Sequence, residues 1–321
     1  MRRAIAVSVL AIVAMAMSAT AVPTTALSAI PGQFYALSDV RGAQGDLFRT
    51  TRTGSSWVRL TSGLSFPESV SASPDGKFAV ICAAARGGDS AYRVYRVEAA
   101  GGALRNLIGN RQGCGQTVSP DGKKVAYVGA GNGTLNIVRS QSGGHRTIYR
   151  FCGGCIYNPV WANGRIYFER RVTRNSSADR EIYSVRARDG RGLKRHTNDG
   201  GAEVDYTLAD VSRNGRKLLL LEQEFDPLIS VVFYGLSTYG LSPAGDTPPE
   251  QRIRYLTEAD ALTDASFAPS GNSIAYVQQG DTSLGDPLYG LKIIEPLALP
   301  FSFSRPSVSS LGTYSIDWVS R

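Results

Sequence analysis

Short apolar runs that alternate with polar residues fill most of the chain, and turns rich in glycine, asparagine or aspartate separate them. The stretch VSPDGKKVAYV at 118–128 is typical, because Asp-Gly between two alternating apolar segments is among the strongest short-range signals for a β-hairpin. Pro120 sets the φ of the first turn position, and glycine supplies the positive φ that the turn needs. The pattern predicts a strand ending near Val118 and another over 124–128.

This turn and its flanking strands recur along the chain. The copies are ASPDGKFAVI (72–81), VSPDGKKVAYV (118–128), VWANGRIYF (160–168), VSRNGRKLLLL (211–221) and FAPSGNSIAYV (267–277). Their turn glycines are spaced by 46, 42, 51 and 56 residues and are Gly76, Gly122, Gly164, Gly215 and Gly271. A period in this range indicates a propeller or another repeat architecture.

Each copy continues into two more strands joined by a glycine-containing turn. The third strands include DLFRTTR (46–52), YRVYRVE (92–98), TLNIVRS (134–140) and EIYSVRA (181–187). The fourth strands include WVRLT (57–61), ALRNLI (103–108), HRTIY (145–149), LKRHT (193–197) and RIRYLT (252–257). Helical periodicity is absent after the first residues. Four short antiparallel strands per unit of this length predict a propeller blade.

The two ends of the repeat region complement each other. QFYALSDV (33–40) reads as a second strand without a first, and TYSIDWV (313–319) reads as the missing first strand. Trp318 then takes the place that Trp161 and Phe267 hold in their repeats. We therefore predict an all-β, six-bladed propeller of four-stranded antiparallel blades, closed where the C-terminal strand completes blade one. The predicted blades are 32–61 with 313–319, 64–108, 113–150, 155–197, 203–257 and 262–300.

The repeat resembles the TolB-type propeller repeat, a WD-repeat-like unit in which an aromatic residue, Ser-Pro-Asp-Gly-Lys and an apolar strand follow one another. SPDGK stands at 73–77 and 119–123, and APSGN at 268–272 is a degenerate copy. The resemblance covers nearly all of the chain after the leader and implies the fold. TolB itself carries a further N-terminal domain, for which residues 22–33 leave no room.

The first residues predict export. Arg2 and Arg3 precede an apolar run over 4–17, and Ala19-Thr20-Ala21 offers a small-x-small cleavage site, which together are typical of a Sec signal peptide. The fourteen apolar residues are short for a membrane anchor. We predict a signal peptide over 1–21, a linker over 22–31, a propeller over 32–321, and a secreted or periplasmic location.

The net positive charge of the chain predicts a basic surface. The precursor has a net charge of +8, and loss of Arg2 and Arg3 leaves +6. The basic residues are mostly arginines scattered singly, and the chain has no lysine–arginine block or nucleic-acid-binding motif. We expect no nucleic-acid partner, no stable membrane insertion and a monomer. The basic residues form either a solvated exterior or a surface that attracts anionic cell-wall polymers or membranes.

Four cysteines outside the leader predict disulfides, because exported proteins meet an oxidising environment. Cys82 ends a second strand, and Cys114 precedes the next first strand on the same face. We predict Cys82–Cys114 and Cys152–Cys155 bridges, with Cys114–Cys155 as the rival pairing. A redox or zinc function for Cys152-Gly-Gly-Cys155 lacks its context, because neither a thioredoxin-like unit nor matching histidines accompany it.

Catalytic signals are weak. GLSTY at 235–239 lacks the closing glycine of a nucleophile elbow and no histidine follows it, which excludes a serine peptidase. In some six-bladed propellers, carboxylates and amides in the central funnel hold a metal. We expect no cofactor here and keep calcium in the central channel as the alternative. The candidate funnel residues, which would bind a ligand or Ca²⁺, are Glu68, Gln116, Asn158, Asp205 and Asp264.

Because the catalytic signals are weak, the sequence favours a binding function. We predict a non-enzymatic exported scaffold that binds a protein or cell-envelope ligand through one face and its loops. The rival functions are a metal-dependent, lactonase-like hydrolase and a carbohydrate-binding propeller. Trp161, Phe267 and Trp318 are expected in the core between blades. Residues 225–251 lengthen blade five and form either a binding loop or a longer hairpin.

Overall fold

The structure is a computed structural model. The predicted signal peptide and linker lie outside the described residues. Among the residues described, no helix is long and apolar enough to cross a membrane. The described residues are 33–38, 45–51, 56–62, 64–84, 91–141, 143–151, 155–171, 180–197, 204–226, 231–241, 249–256, 262–279, 289–294 and 313–319.

All regular elements of the described chain are β-strands. In chain order they are β1 (Gln33–Ser38), β2 (Asp46–Thr51), β3 (Trp57–Arg59), β4 (Ser65–Ala72), β5 (Phe78–Ala84), β6 (Tyr92–Glu98), β7 (Arg105–Asn106), β8 (Gly113–Val118), β9 (Lys124–Gly129), β10 (Thr134–Arg139), β11 (Arg146–Arg150), β12 (Ile156–Ala162), β13 (Arg165–Arg171), β14 (Arg180–Arg186), β15 (Lys194–Arg195), β16 (Val204–Val211), β17 (Lys217–Asp226), β18 (Val231–Gly240), β19 (Pro249–Leu256), β20 (Leu262–Phe267), β21 (Ile274–Gln279), β22 (Tyr289–Ile294) and β23 (Thr313–Val319).

The strands form six antiparallel sheets, which confirms the predicted fold and blade count. Five sheets have four strands, and the sixth has three among the described residues. Sequence neighbours pair throughout each blade, except in blade one. The sheet orders are β23-β1-β2-β3, β4-β5-β6-β7, β8-β9-β10-β11, β12-β13-β14-β15, β16-β17-β18-β19 and β20-β21-β22.

Blade one is closed by the last strand, as the two ends of the repeat region predict. β23 pairs antiparallel with β1, and Phe34 lies opposite Trp318. The centroids of their two rings are 4.8 Å apart, and both side chains are buried. The pairing covers the inner edge of β1, which would otherwise present unpaired backbone groups.

In the Ser-Pro-Asp-Gly turn, the serine, the aspartate and the glycine each have a structural role. In blade three, Gly122 has φ +70° and its N–H donates to Ser119 O over 2.8 Å. Ser119 Oγ also accepts a hydrogen bond from the N–H of Lys124, while Asp121 Oδ1 accepts one from the N–H of Lys123. The turn therefore closes the first two strands of the blade, because each of its polar residues satisfies a backbone donor.

The core consists of apolar layers between adjacent blades. Leu37 and Leu47 of blade one, for example, pack in one cluster with Ile81 and Val97 of blade two. Trp318 and Phe267 are almost fully buried, and Trp161 packs partly buried against the cluster between blades three and four. These aromatic residues occupy the core positions that the repeat predicts.

Blade five incorporates much of the segment 225–251 as strand. β17 and β18 are ten residues long and pair along their whole length, from Lys217 opposite Gly240 to Asp226 opposite Val231. The described part of the segment is therefore a longer hairpin. Residues 227–230 and 242–248 lie outside the described residues.

Candidate functional site

The first strands of the blades surround a central cavity of about 300 Å³. In each blade the first strand runs from the end where the chain enters the blade toward the Ser-Pro-Asp-Gly turn. We call the entry end the funnel face and the other end the turn face. The strands that line the cavity are β4, β8, β12, β16, β20 and β23.

Four of the five predicted funnel residues line this cavity, namely Glu68, Gln116, Asn158 and Asp264. Asp205 lies in β16, opposite Gln223, and its side chain falls outside the described part of the structure. The predicted funnel is therefore a real feature of the molecule. Whether these side chains bind a ligand stays a prediction.

The lining side chains are engaged in contacts within the protein. Gln116 Nε2 donates to Ser69 O over 2.9 Å, and its Oε1 accepts from Ser69 Oγ over 3.2 Å. Asn158 Nδ2 donates to Glu169 Oε1 over 2.6 Å. Asp264 accepts the N–H of Ile316 at Oδ2 and the N–H of Ala265 at Oδ1. Glu68 is exposed at the funnel face.

These hydrogen bonds limit how many oxygens of the lining side chains are available to coordinate a calcium ion. The ion requires six to eight oxygen ligands with available lone pairs. The oxygens of Gln116 and Asp264 already accept hydrogen bonds, and they would have to share them with a bound ion. Among the described residues, one group of three potential metal ligands lies close together, namely Glu68, Cys82 and Cys114, and two of these form a disulfide. The arrangement fits a structural role for these side chains better than a metal centre.

A ring of inter-blade hydrogen bonds surrounds the cavity, and the sequence analysis did not identify it. Short polar side chains one residue before the repeat's aromatic position accept the N–H of the equivalent strand in the next blade. The pairs are Ser71 Oγ with Val118 N (3.1 Å), Thr117 Oγ1 with Trp161 N (3.1 Å), Asp210 Oδ2 with Phe267 N (2.8 Å), Ser266 Oγ with Trp318 N (3.3 Å) and Asp317 Oδ2 with Ala72 N (2.6 Å).

Blade four departs from this pattern because Val160 occupies the acceptor position. Glu169 of the second strand takes over, and its Oε1 accepts the N–H of Leu208 in blade five over 2.8 Å. Glu169 is fully buried, and Arg180 Nη1 lies 3.3 Å from its Oε2. The ring is thus continued by a charged group that an arginine compensates.

Two carboxyl groups of the ring share one serine. Ser266 Oγ donates to Asp210 Oδ2 over 3.2 Å and also interacts with Asp317. Burial, with the nearby Asp317 carboxylate, raises the pKa of Asp210 to about 7. Burial raises the pKa of Asp317 to about 6, although the N–H of Ala72 opposes that shift. The pair therefore titrates near neutral pH, where most aspartates are fully ionised.

The predicted Cys82–Cys114 disulfide is present and joins blades two and three at the funnel face. The two Cα atoms are 5.3 Å apart, and Glu68 Oε2 lies 2.9 Å from Cys114 Sγ. The bridge contradicts the rival Cys114–Cys155 pairing. Cys155 carries a free thiol, which contradicts the predicted Cys152–Cys155 bridge; Cys152 itself lies outside the described residues.

Loss of the disulfide should destabilise the propeller. The bridge closes a loop with a sequence separation of 32, for which chain entropy predicts a contribution of about 4 kcal/mol. We expect C82A/C114A to lower the free energy of unfolding by this amount in urea titrations. Reduction of the wild-type protein should lower its free energy of unfolding by a similar amount. Reduction of C82A/C114A should leave its free energy of unfolding unchanged. A non-reduced peptide map that lacks the Cys82–Cys114 peptide would contradict the assignment.

One exposed aromatic residue stands out at the funnel face. Phe66 is 61% exposed, and its φ of +47° is rare for a residue with a bulky side chain. It is the only exposed aromatic among the side chains that the structure describes. Outliers of this kind cluster at functional sites, because the surrounding fold must hold them in place.

The closed ring, its cavity and the inter-blade bonds define the chain as a six-bladed β-propeller. Its fold is similar to that of TolB from Acinetobacter baumannii, with a TM-score of 0.67 and 18% identity over 92% of this chain and 70% of that one. A putative TolB from Agrobacterium tumefaciens gives a TM-score of 0.60 at 15% identity, covering 89% of this chain and 93% of that one.

A structure of a nidogen/laminin complex is also similar, with a TM-score of 0.58 and 11% identity over 90% of this chain and 98% of that one. No protein-family model and no curated protein matches the sequence. The similarities establish the propeller fold and its likeness to TolB propellers.

Proposed function

We propose that this chain is an exported, non-enzymatic propeller that binds a protein or cell-envelope ligand through its funnel face. One observation carries the proposal: the polar side chains around the channel hold adjacent blades together, while the exposed aromatic Phe66 lies near the start of β4, at the funnel face. Side chains that satisfy backbone groups are poorly available for catalysis. Exposed aromatic residues, in contrast, are typical anchors of protein interfaces.

The structural neighbours are consistent with this function. One of them is a nidogen/laminin complex, so a propeller of this shape occurs in a protein assembly. The two similar TolB structures share the ring. A single exposed aromatic residue among the described side chains offers no paired platform for a sugar, so the carbohydrate-binding alternative receives no specific support.

The funnel-face proposal can be tested by site-specific photo-crosslinking in an extract of the source cell envelope. A benzoylphenylalanine at Phe66 should capture a discrete partner. The same group at Leu193, which is 44% exposed on the turn face of blade four, is the matched control. F66A should weaken binding of the captured partner about tenfold or more, the loss typical of an interface hot spot, without lowering stability.

Other outcomes would contradict the proposal. Equal capture at Phe66 and Leu193 would indicate nonspecific contact. Calcium-dependent hydrolysis of lactones or esters, abolished by D264A, would instead support the metal-dependent hydrolase. D264A also removes the acceptor for the N–H of Ile316, so its thermal unfolding must be measured beside its activity.

A further inference from the structure

Positive charge is concentrated on two adjacent blades. Within the described residues, blade three has five lysines and arginines against one aspartate, and blade four has nine against three acidic residues. These excesses of four and six together exceed the net charge of +8 of the whole chain. The basic residues that are scattered along the sequence therefore form one charged side of the ring.

Three arginines of blade four meet at its funnel face. Arg170 and Arg171 end β13, Arg180 begins β14, and Arg171 pairs with Arg180 in the sheet. Aromatic rings surround them. We call this group the arginine–aromatic cluster, and its members are Phe151, Tyr157, Arg170, Arg171, Arg180 and Tyr183.

The rings position the guanidinium groups without using their N–H donors. The Arg170 guanidinium carbon lies 3.6 Å from the centroid of Phe151 and 5.0 Å from that of Tyr183. The guanidinium carbons of Arg180 and Arg171 lie 5.1 and 5.8 Å from the centroid of Tyr157. A guanidinium over a ring keeps its in-plane donors available for a second ligand.

The charges of the cluster are only partly compensated. Arg180 pairs with the buried Glu169, whose oxygens also accept from Asn158 and from the N–H of Leu208. Within the described part of the chain, no carboxylate pairs with Arg170 or Arg171. The Nε atoms of Arg170, Arg171 and Arg180 are buried and have no hydrogen-bond partner among these residues. Because the side chains of Arg170 and Arg171 are half-buried, an external ligand would bind their terminal Nη groups.

We propose that the arginine–aromatic cluster binds phosphate groups of a polyanionic polymer. The inference rests on the proposed function, because it names the chemistry of a ligand for the same face. A phosphate offers several acceptor oxygens, and the planar fork of arginine matches its geometry. A polymer fits better than a single ion because the excess charge extends from blade four onto blade three, where the exposed Arg150 ends β11.

The test measures the affinity of the purified protein for fluorescently labelled polyphosphate by anisotropy. R170Q/R171Q should weaken binding about tenfold or more, since each arginine contributes charge-assisted hydrogen bonds. The slope of log affinity against log salt should become shallower by about 1 to 2. The matched control is R188Q/R191Q, which removes two charges from the turn face of the same blade and should change the affinity less than about threefold.

Three results would overturn the inference. They are equal losses in R170Q/R171Q and R188Q/R191Q, equal affinity of the wild type for polyphosphate and poly-glutamate, and no binding of polyphosphate at low salt. If R170Q/R171Q does not fold, R170K/R171K keeps the charge but lacks the planar fork, and should still lose affinity. Inorganic phosphate should compete only weakly. Partner capture at Phe66 tests the proposed function separately, because either result can be obtained without the other.

Discussion

Replacing Asp210 with asparagine should remove much of the pH dependence of stability between about pH 4 and about pH 7. The pKa of Asp210 is raised from 3.8 to about 7, and that of Asp317 from 3.8 to about 6. A carboxyl group whose pKa is raised on folding stabilises the folded state while it is protonated. Its contribution is complete below the unfolded pKa and is lost as the pH rises through the folded value.

Titration of Asp210 alone should therefore lower the wild-type free energy of unfolding by roughly 3 kcal/mol across this range, because each unit of pKa difference is worth about 1.4 kcal/mol, and Asp317 adds to the fall. D210N stays neutral and keeps an oxygen that can accept the N–H of Phe267. We expect a flatter profile and a higher stability than the wild type above about pH 7. Urea titrations followed by the fluorescence of the three tryptophans measure both effects.

Two further variants make the test specific. D210A removes the acceptor for the N–H groups of Phe267 and Val211, so it should be less stable than D210N at every pH by about 1–3 kcal/mol per lost bond. D121N changes a turn carboxylate whose pKa is lowered by a hydrogen bond from Ser119, so it should keep the wild-type slope above about pH 4. A wild-type stability that rises with pH over this range would contradict the assignment.

The ring architecture could be predicted because its signals are local. The turns at Gly76 and Gly122 depend on residues within five positions of each other, and both glycines have the positive φ that their sequence implies. The end strands were recognised for the same reason: β1 lacked a first strand before it, and β23 carried the aromatic residue of that strand. The five copies together with the two end strands then give six blades.

The length of blade five was harder to predict. The run VVFYGLSTYG lies within 225–251, the segment that lengthens blade five, and the sequence leaves it as either a binding loop or a longer hairpin. In the structure it is β18, the third strand of the blade. Its side chains at Leu236, Thr238 and Tyr239 are buried, which is the pattern of a strand covered on both faces.

The inter-blade hydrogen bonds were missed although a signal exists. Five of the six first strands carry serine, threonine or aspartate one residue before the aromatic position. The contact itself joins residues 44 to 245 positions apart, so it depends on the arrangement of the blades in space. The arginine–aromatic cluster was missed for a similar reason. The scattered arginines come together only when β13 and β14 pair.

The contact between blades three and four leads to the second prediction, that G190A will be far more destabilising than G164A. Both glycines lie in turns of blade four on the turn face, and both have φ +71°. An added Cβ at Gly164 would meet nothing within 4 Å. At Gly190 it would lie 1.7 Å from Ile148 O, a backbone atom of β11 in blade three.

Comparing G164A with G190A separates the cost of backbone strain from the cost of a steric clash between the added Cβ and β11. G164A should cost about 1–2 kcal/mol, the penalty of the left-handed conformation for a residue with a side chain. G190A carries the same penalty, and it must also displace β11 or its own turn, because a carbonyl oxygen cannot rotate away as a flexible side chain can. Arg146 Nη2 donates to Arg188 O over 2.8 Å and holds this turn against blade three, so the displacement would also strain that bond. We expect G190A to cost about 3–4 kcal/mol in urea titrations, within the range of severe overpacking and backbone strain. Equal losses in the two variants would show that the turn of blade four is not packed against β11.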